Sequence, residues 1–311
     1  MKASRWFYGI IFALLVIIIS VVFISPVYFM VIMSLGDPQE TFATQHPNFV
    51  IDHLYYAQPG DPDYTNTAWD KILPKWWSRV LLEAAPGGGV RLDSDLAISL
   101  FKSLRVATIT AIITLVIGIP GAYAISRIEP KLKYGLMLGL FFTRMYPEVG
   151  IALPVAVRFL RLDKLLPWID LYDSVSGIEL VLAHLIITLP LSTWILVGTF
   201  DTIPWEIEEA ANVDGASRLK TIFKIIIPLA APGIAVATIF SWLASWDEVT
   251  YAIYLTLFNR TLPLEIVNIV GRSPPPVIAT YATLVTIPVV FVTYFLQRWL
   301  KAGYMAGAIK G

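Results

Sequence analysis

Long apolar runs alternate along this chain with short polar connections. A bilayer core about 30 Å thick requires about 20 apolar residues in a helix. Stretches of that length fall at about 7–35, 98–125, 134–160, 178–200, 229–257 and 277–299. They predict an all-α integral membrane protein with six transmembrane helices. The first run follows Lys2 and Arg5, as a secretory signal would. Its length is about twice that of a signal core and no small-x-small cleavage site follows, so a retained helix over 1–36 is expected. Residues 37–97 then form a long extracytoplasmic segment rich in Pro, Gly, Asp and Tyr, with Gly87-Gly88-Gly89 near its end. Within it, Lys75 to Glu83, with Trp76 and Trp77, reads as a short interfacial helix that either anchors the segment or meets an external partner. A five-helix core over 98–299 and a cytoplasmic tail over 300–311 complete the organisation.

The connection at 203–228 differs from the others. It is charged, and its residues specify two short helices with a corner. Asp201 or Thr202 can cap the first, Pro204 is tolerated in its first turn, and Glu206, Glu208 and Glu209 favour its positive end. Ala210 and Ala211 allow close approach by another backbone. Gly215 can take the left-handed conformation that ends a helix. Ser217 can cap a second helix carrying Arg218, Lys220 and Lys224, and Pro228 marks its bend into the membrane. A charged hairpin in an otherwise lipid-adapted chain reads as a docking surface, against the alternative of an ordinary amphipathic loop.

Composition supports the membrane reading. Hydrophobic residues make up 57% and charged residues 15% of the chain, against about 25% charged in soluble domains. Lys and Arg balance Asp and Glu, so the formal net charge is zero and no bulk electrostatic attraction to nucleic acid exists. Cysteine is absent, which excludes disulfides, thiol nucleophiles and zinc-thiolate sites. His46, His53 and His184 are too scattered for a metal motif.

Basic residues orient the spans. With both termini cytoplasmic, the inner connections hold Lys2, Arg5, Arg127, Lys131, Lys133, Arg218, Lys220, Lys224, Arg298, Lys301 and Lys310. The short outer ones hold fewer: Arg158, Arg161, Lys164, Arg260 and Arg272. This places 203–228 in the cytoplasm, and the outer connection 258–276 becomes a candidate contact for an external partner.

Polar groups inside spans are costly and face protein or water. Arg144 and Glu148 are four apart and can meet on one helix face. Trp246, Asp247, Glu248 and Tyr251 are candidates for a sugar path, since aromatic faces stack on sugar rings and carboxylates accept hydroxyl hydrogen bonds. The competing reading for both groups is pairing between helices. His184, in an apolar helix, is expected to be packed or to hydrogen-bond another helix. Pro147, Pro154, Pro190 and Pro288 are expected to kink their spans. No G-x-x-x-x-G-K-[ST] loop, H-E-x-x-H or recognisable Ser-His-Asp arrangement occurs, so no enzyme is expected and no cofactor is assigned to the chain.

The order Glu209-Ala210-Ala211, Gly215, then Ile225-Ile226-Ile227-Pro228 resembles the EAA motif of permease subunits in binding-protein-dependent ABC importers. Ile227 stands where the family usually has Leu. Ala122-Tyr123-Ala124-Ile125-Ser126-Arg127, Ser245-Trp246-Asp247-Glu248-Val249 and the C-terminal Gly303 to Gly311 resemble the carbohydrate-uptake branch, which includes maltose-transporter-type permeases. The resemblance covers roughly 95–311 and is weak over 36–97. It implies a MetI-like ABC permease fold with a cytoplasmic coupling helix, two ATP-binding subunits, a second homologous permease and a solute-binding protein. Carried over by position, Glu209, Ala210, Ala211, Asp214, Gly215, Arg218, Ile225 and Pro228 would couple the chain to its ATPase. A sugar or oligosaccharide is the implied solute. A polyamine, phosphate ester or iron complex, or ion-coupled transport through Asp247 or Glu248, remains as an alternative.

Overall fold

The structure is a computed structural model that describes residues 2–37, 54–61, 64, 67–84 and 90–308. Gly87-Gly88-Gly89, His46, His53 and the last residues of the C-terminal motif, 309–311, lie outside the described residues. The chain divides into two compact units, 1–97 with 266–287, and 98–265 with 288–311.

In the first unit, α1 spans Lys2–Leu35. Every side chain from Tyr8 to Ile24 is exposed, as expected of an apolar helix whose surroundings are lipid. Two short helices follow, α2 at Trp69–Ile72 and α3 at Lys75–Leu81. A small antiparallel ladder, β1 (Leu82–Ala84) and β2 (Val90–Leu92), pairs Leu82 with Leu92; the apolar pattern did not predict it. Helix α3 is the expected short helix, and its tryptophans tie it to the end of α1. Trp76 Nε1 donates to the Gly36 carbonyl at 3.1 Å, and Trp77 Nε1 to Ser34 Oγ at 3.4 Å. Lys75 forms an ion pair with Asp61 at 3.0 Å and lies over the rings of Tyr55 and Trp76.

Helix α4 runs over Ser94–Ser126 and carries the chain into the second unit. Next come α5 (Pro130–Met145) and α6 (Glu148–Leu165), bent by 85° against each other. The expected span at 134–160 is therefore broken rather than continuous. Pro147 lacks an N–H and forces the preceding Tyr146 out of helical geometry (ψ 133), so the hydrogen-bond ladder stops there. Pro147 sits in the break, outside either helix; Pro154 and Pro190 lie inside helices. Helix α7 (Ile178–Asp201) is the central one: 61% of its most apolar window is buried. The hairpin helices α8 (Trp205–Val213) and α9 (Arg218–Thr221) follow, then a π-turn at Ile222–Ile226 and one short turn, α10 (Ile227–Leu229).

Helix α11 (Ala231–Trp246) leaves that segment at 74°. It is followed by α12 (Thr250–Leu255), α13 (Leu262–Ile269) and α14 (Pro275–Ala308), which contains Pro288. The expected span at 229–257 is thus interrupted at Asp247–Val249. Among the described residues, four helices are long and apolar enough to cross a membrane, or six spans if each bent pair counts as one.

Two apolar clusters hold the second unit. One joins Val106, Ala152, Leu180, Ala183, Tyr251 and Leu255; the other joins Tyr123, Leu196, Phe200, Ile203, Ile226 and Ala230. Helices whose outer faces are apolar gain little from burying more apolar surface, so small residues and hydrogen bonds mediate their contacts. Thr114 bonds Thr188, Ser192 bonds Ser241 and His184 Nδ1 bonds Ser245 Oγ, each at 2.7 Å. The last of these is the interhelical role expected for His184.

Candidate functional site

The hairpin at 204–229 is built much as its residues specify, with two corrections. Helix α8 begins at Trp205, with Pro204 as a cap residue that makes no side-chain cap bond. Neither Asp201 nor Thr202 caps it. Asp201 is the last residue of α7 and bonds Lys133 at 2.8 Å, while the Thr202 hydroxyl donates to the Thr199 carbonyl. The second correction concerns the alanines. Ala210 is exposed, but Ala211 faces its own subunit and is 6% exposed, so only Ala210 is open to a neighbour.

The corner closes with local hydrogen bonds. The Ala216 N–H reaches back to the Ala211 carbonyl at 2.9 Å, Gly215 N–H to Asn212 at 3.0 Å, and Asp214 N–H to Ala210 at 3.0 Å. Gly215 has φ +77, and a Cβ built on it would meet nothing within 4 Å. Its requirement is therefore one of backbone conformation and not of space. Ser217 Oγ accepts from the Lys220 N–H and caps α9. Exposed on this frame are Glu209, Asp214, Arg218, which also reaches Tyr123, and three large apolar side chains: Val213, Leu219 and Phe223 are 88%, 68% and 66% exposed. Exposed apolar side chains among charges fit a protein-binding surface; of these, Leu219 and Phe223 also line an apolar cavity against Pro120 and Phe200. Ile226, fully buried, is the anchor of the exit segment; Ile225 is half-buried and Pro228 exposed.

Behind the hairpin lies a polar cluster that the sequence pattern did not single out. Glu208 is buried, and its carboxylate accepts from Tyr123 Oη at 2.6 Å and from Arg127 Nε at 2.8 Å. The second guanidinium contact is 2.7 Å. Arg127 also donates to the carbonyls of Phe200 and Ile203 at 3.3 Å, and lies over the rings of Tyr123 and Trp205. Glu208 lies three residues before the buried Ala211, on the same helix face. That spacing was the available local signal, but its partners are more than eighty residues away.

The expected sugar-path residues separate. Trp246 stacks on Trp242 with centroids 5.0 Å apart, and Trp246, Glu248 and Tyr251 are all buried in the subunit's own packing. Glu248 lies 3.2 Å from His184 Nε2 and accepts from the Tyr251 N–H at 2.8 Å. Asp247 alone of the four is exposed. Arg144 and Glu148 do pair, at 3.5 Å, but across the α5–α6 break and not along one helix face. The Tyr251 side chain lies within electrostatic range of both, so the polar groups of the α5–α6 break lie near α12.

Bent spans, polar interhelical bonds and an exposed charged hairpin define a predominantly helical membrane protein. The family model described as "Binding-protein-dependent transport system inner membrane component" matches residues 114–305. The chain belongs to that family. It is a multi-pass inner-membrane component of an ABC importer, a non-catalytic subunit that works with ATP-hydrolysing subunits and a solute-binding protein.

Relatives agree. The chain is 33% identical over 219 residues to the trehalose transport system permease protein SugB of Mycobacterium tuberculosis, covering 68% of this chain and 77% of that one. It is 32% identical over 215 residues to the trehalose/maltose permease MalG of Thermococcus litoralis (68% and 74%). To the maltose/maltodextrin permease MalG of Salmonella typhimurium it is 30% identical over 249 residues (78% and 83%). The fold matches a chain of a bacterial importer of the acidic polysaccharide alginate with TM-score 0.65 at 21% identity, over 95% of this chain and 97% of that one. It also matches a chain of the MetNI methionine importer with TM-score 0.53 at 16% identity, over 67% and 95%.

Proposed function

We propose that this permease carries a sugar or oligosaccharide, pairs with a second homologous permease, and receives force from two ATP-binding subunits through the α8–α9 hairpin. The observation that carries the coupling reading is the hairpin itself. Its glycine corner and capped second helix hold Val213, Leu219 and Phe223 outward beside Glu209, Asp214 and Arg218. A surface so apolar is unfavourable in water unless covered. Both termini lie in the cytoplasm in this reading, which rests on the excess of Lys and Arg in the inner connections.

The sugar assignment is supported by the relatives named for trehalose, maltose and maltodextrin and by the importer named for alginate. On this subunit the exposed Asp247 and the Arg144–Glu148 pair supply the polar groups of the path, and the buried Trp246, Glu248 and Tyr251 support them from behind. The test is reconstitution of the chain with its partner subunits in proteoliposomes. ATP-dependent uptake of labelled trehalose or maltose, abolished without the solute-binding protein, is the expected result. Uptake of either sugar that persists without ATP would refute the ABC reading. ATP-driven uptake of a polyamine, phosphate ester or iron complex in place of sugar would replace the solute and keep the rest.

A further inference from the structure

We propose that Glu208 is a positioning residue that, with Arg127 and Tyr123, forms the stiff strut through which the hairpin moves α4 and α7, while the covalent connection to α11 is compliant. The proposal rests on the docking reading above. A push on the hairpin can leave it by two routes, and the structure gives them different stiffness.

The first route is the chain itself. It passes through the π-turn at Ile222–Ile226, then Pro228, which donates no backbone hydrogen bond, and then a 74° bend into α11. An apolar cavity of about 430 Å³ lies beside it, lined by Leu219, Phe223 and Ile227 on one side and Pro120, Tyr123 and Phe200 on the other. The π-turn and the proline interrupt the regular i to i−4 bonding along this route.

The second route is the carboxylate of Glu208. Its Oε2 accepts from Tyr123 Oη at 2.6 Å and its Oε1 from Arg127 Nε at 2.8 Å, with Arg127 Nη2 2.7 Å from the same Oε1, in a site where the Arg127 and Glu208 side chains are 10% and 6% exposed. With one carboxylate oxygen held by the guanidinium and the other by the Tyr123 hydroxyl, direction is fixed as well as distance, and burial removes competing water. The same guanidinium binds the Phe200 and Ile203 carbonyls at the end of α7. Glu208 therefore joins three elements: α8 through its own backbone, α4 through Tyr123 and Arg127, and α7 through Arg127. Displacing α8 without α4 would strand a buried charge, whereas displacing it relative to α11 disturbs apolar contacts around Ile226 and Ala237 but strands no charge.

The chain has no cysteine, so spin labels can be placed directly. One label replaces the exposed Glu206 on α8, paired in separate samples with Ile112→Cys on α4 or Phe240→Cys on α11, which are 54% and 49% exposed. The full importer, in lipid nanodiscs, is measured by double electron–electron resonance with and without ATP plus vanadate. We expect the 206–112 distance to stay constant on trapping and the 206–240 distance to shift. In Glu208→Gln the 206–112 distribution should broaden and shift on trapping. The idea is overturned if the 206–112 distance in the unaltered strut shifts as much as the 206–240 distance. It also falls if folded Glu208→Gln, verified by its thermal unfolding, gives the original distributions. If the ATP-binding subunits fail to co-purify and neither distance responds, the docking reading fails and takes the strut with it. Co-purification with the opposite distance pattern removes the strut alone.

Discussion

Replacing Gly215 separates backbone strain from side-chain space at the hairpin corner. The position has φ +77, and no atom lies within 4 Å of the point where a Cβ would stand, so an added Cβ meets no clash within the subunit. What it meets is the left-handed conformation itself, which costs a Cβ-bearing residue about 1–2 kcal/mol. Asn tolerates that region, Ala bears the ordinary cost, and the β-branched Val bears the most. One to two kcal/mol is a factor of about 5–30 in an equilibrium. We therefore expect the apparent Kd of the permease for its ATP-binding subunit to be nearly unchanged for Gly215→Asn. It should rise about 5-fold for Gly215→Ala and about 30-fold for Gly215→Val. The assay is titration of labelled ATP-binding subunit onto the permease pair in nanodiscs, with thermal unfolding recorded for each variant. Asn as damaging as Val would refute the argument, because the corner would then be limited by space against the partner and not by its own dihedral angles.

Three further outcomes follow from packing and charge. A Cβ on Gly233 in α11 would lie 2.0 Å from Thr199 Oγ1 and 2.6 Å from Thr199 Cβ on α7. Since Cβ cannot rotate away, Gly233→Ala should destabilise by about 1–3 kcal/mol, and Thr199→Gly in the same chain should recover most of the loss in a detergent thermal melt. Lys102 and Glu179 are both fully buried and paired at 3.1 Å, with the ammonium also donating to the Ser174 and Asn259 carbonyls at 2.7 Å. Lys102→Met strands the carboxylate and should cost about 3–5 kcal/mol, whereas Lys102→Met with Glu179→Gln should cost much less; equal costs would refute this. In the segment between α1 and α4, the Gln58 N–H and Lys75 hold the Asp61 carboxyl below its usual range. Burial of Lys75 works to lower its pKa, but hydrogen bonds to Asp61 and Tyr55 outweigh it and raise the ammonium above its usual range. Asp61 thus contributes stability above about pH 3.9 that is lost as pH falls through its depressed value, and Lys75 contributes below about pH 10.4 and loses it as pH rises. Trp76 fluorescence should stay constant between those limits and change outside them; a midpoint near neutrality would contradict the pairing.

Much of the fold was legible because it depends on local chain properties. Twenty apolar residues span a bilayer whichever neighbours they have, and Gly215, Ser217 and Pro228 act through their own dihedral angles and hydrogen bonds. The breaks were harder. Hydropathy measures which residues prefer lipid, not whether the backbone continues straight, so 134–160 and 229–257 read as single spans. Pro147 was noted as a kink, but an 85° bend follows only when α5 and α6 each pack separately. Trp246, Glu248 and Tyr251 carry the chemistry of a sugar contact, yet burial against His184 and Trp242 decides where they point.

Residue order alone specifies a polytopic helical membrane protein, a chain without a phosphate-binding loop, and a cornered hairpin made to receive something. Which side of that hairpin faces out is a matter of packing. It turned Ala211 and Glu208 inward, left Ala210 and Val213 outward, and joined Glu208 to Arg127 and Tyr123 across more than eighty residues of chain. Conformational preference belongs to a residue and its near neighbours. Burial belongs to a pair of surfaces, and one of those surfaces comes from elsewhere in the chain.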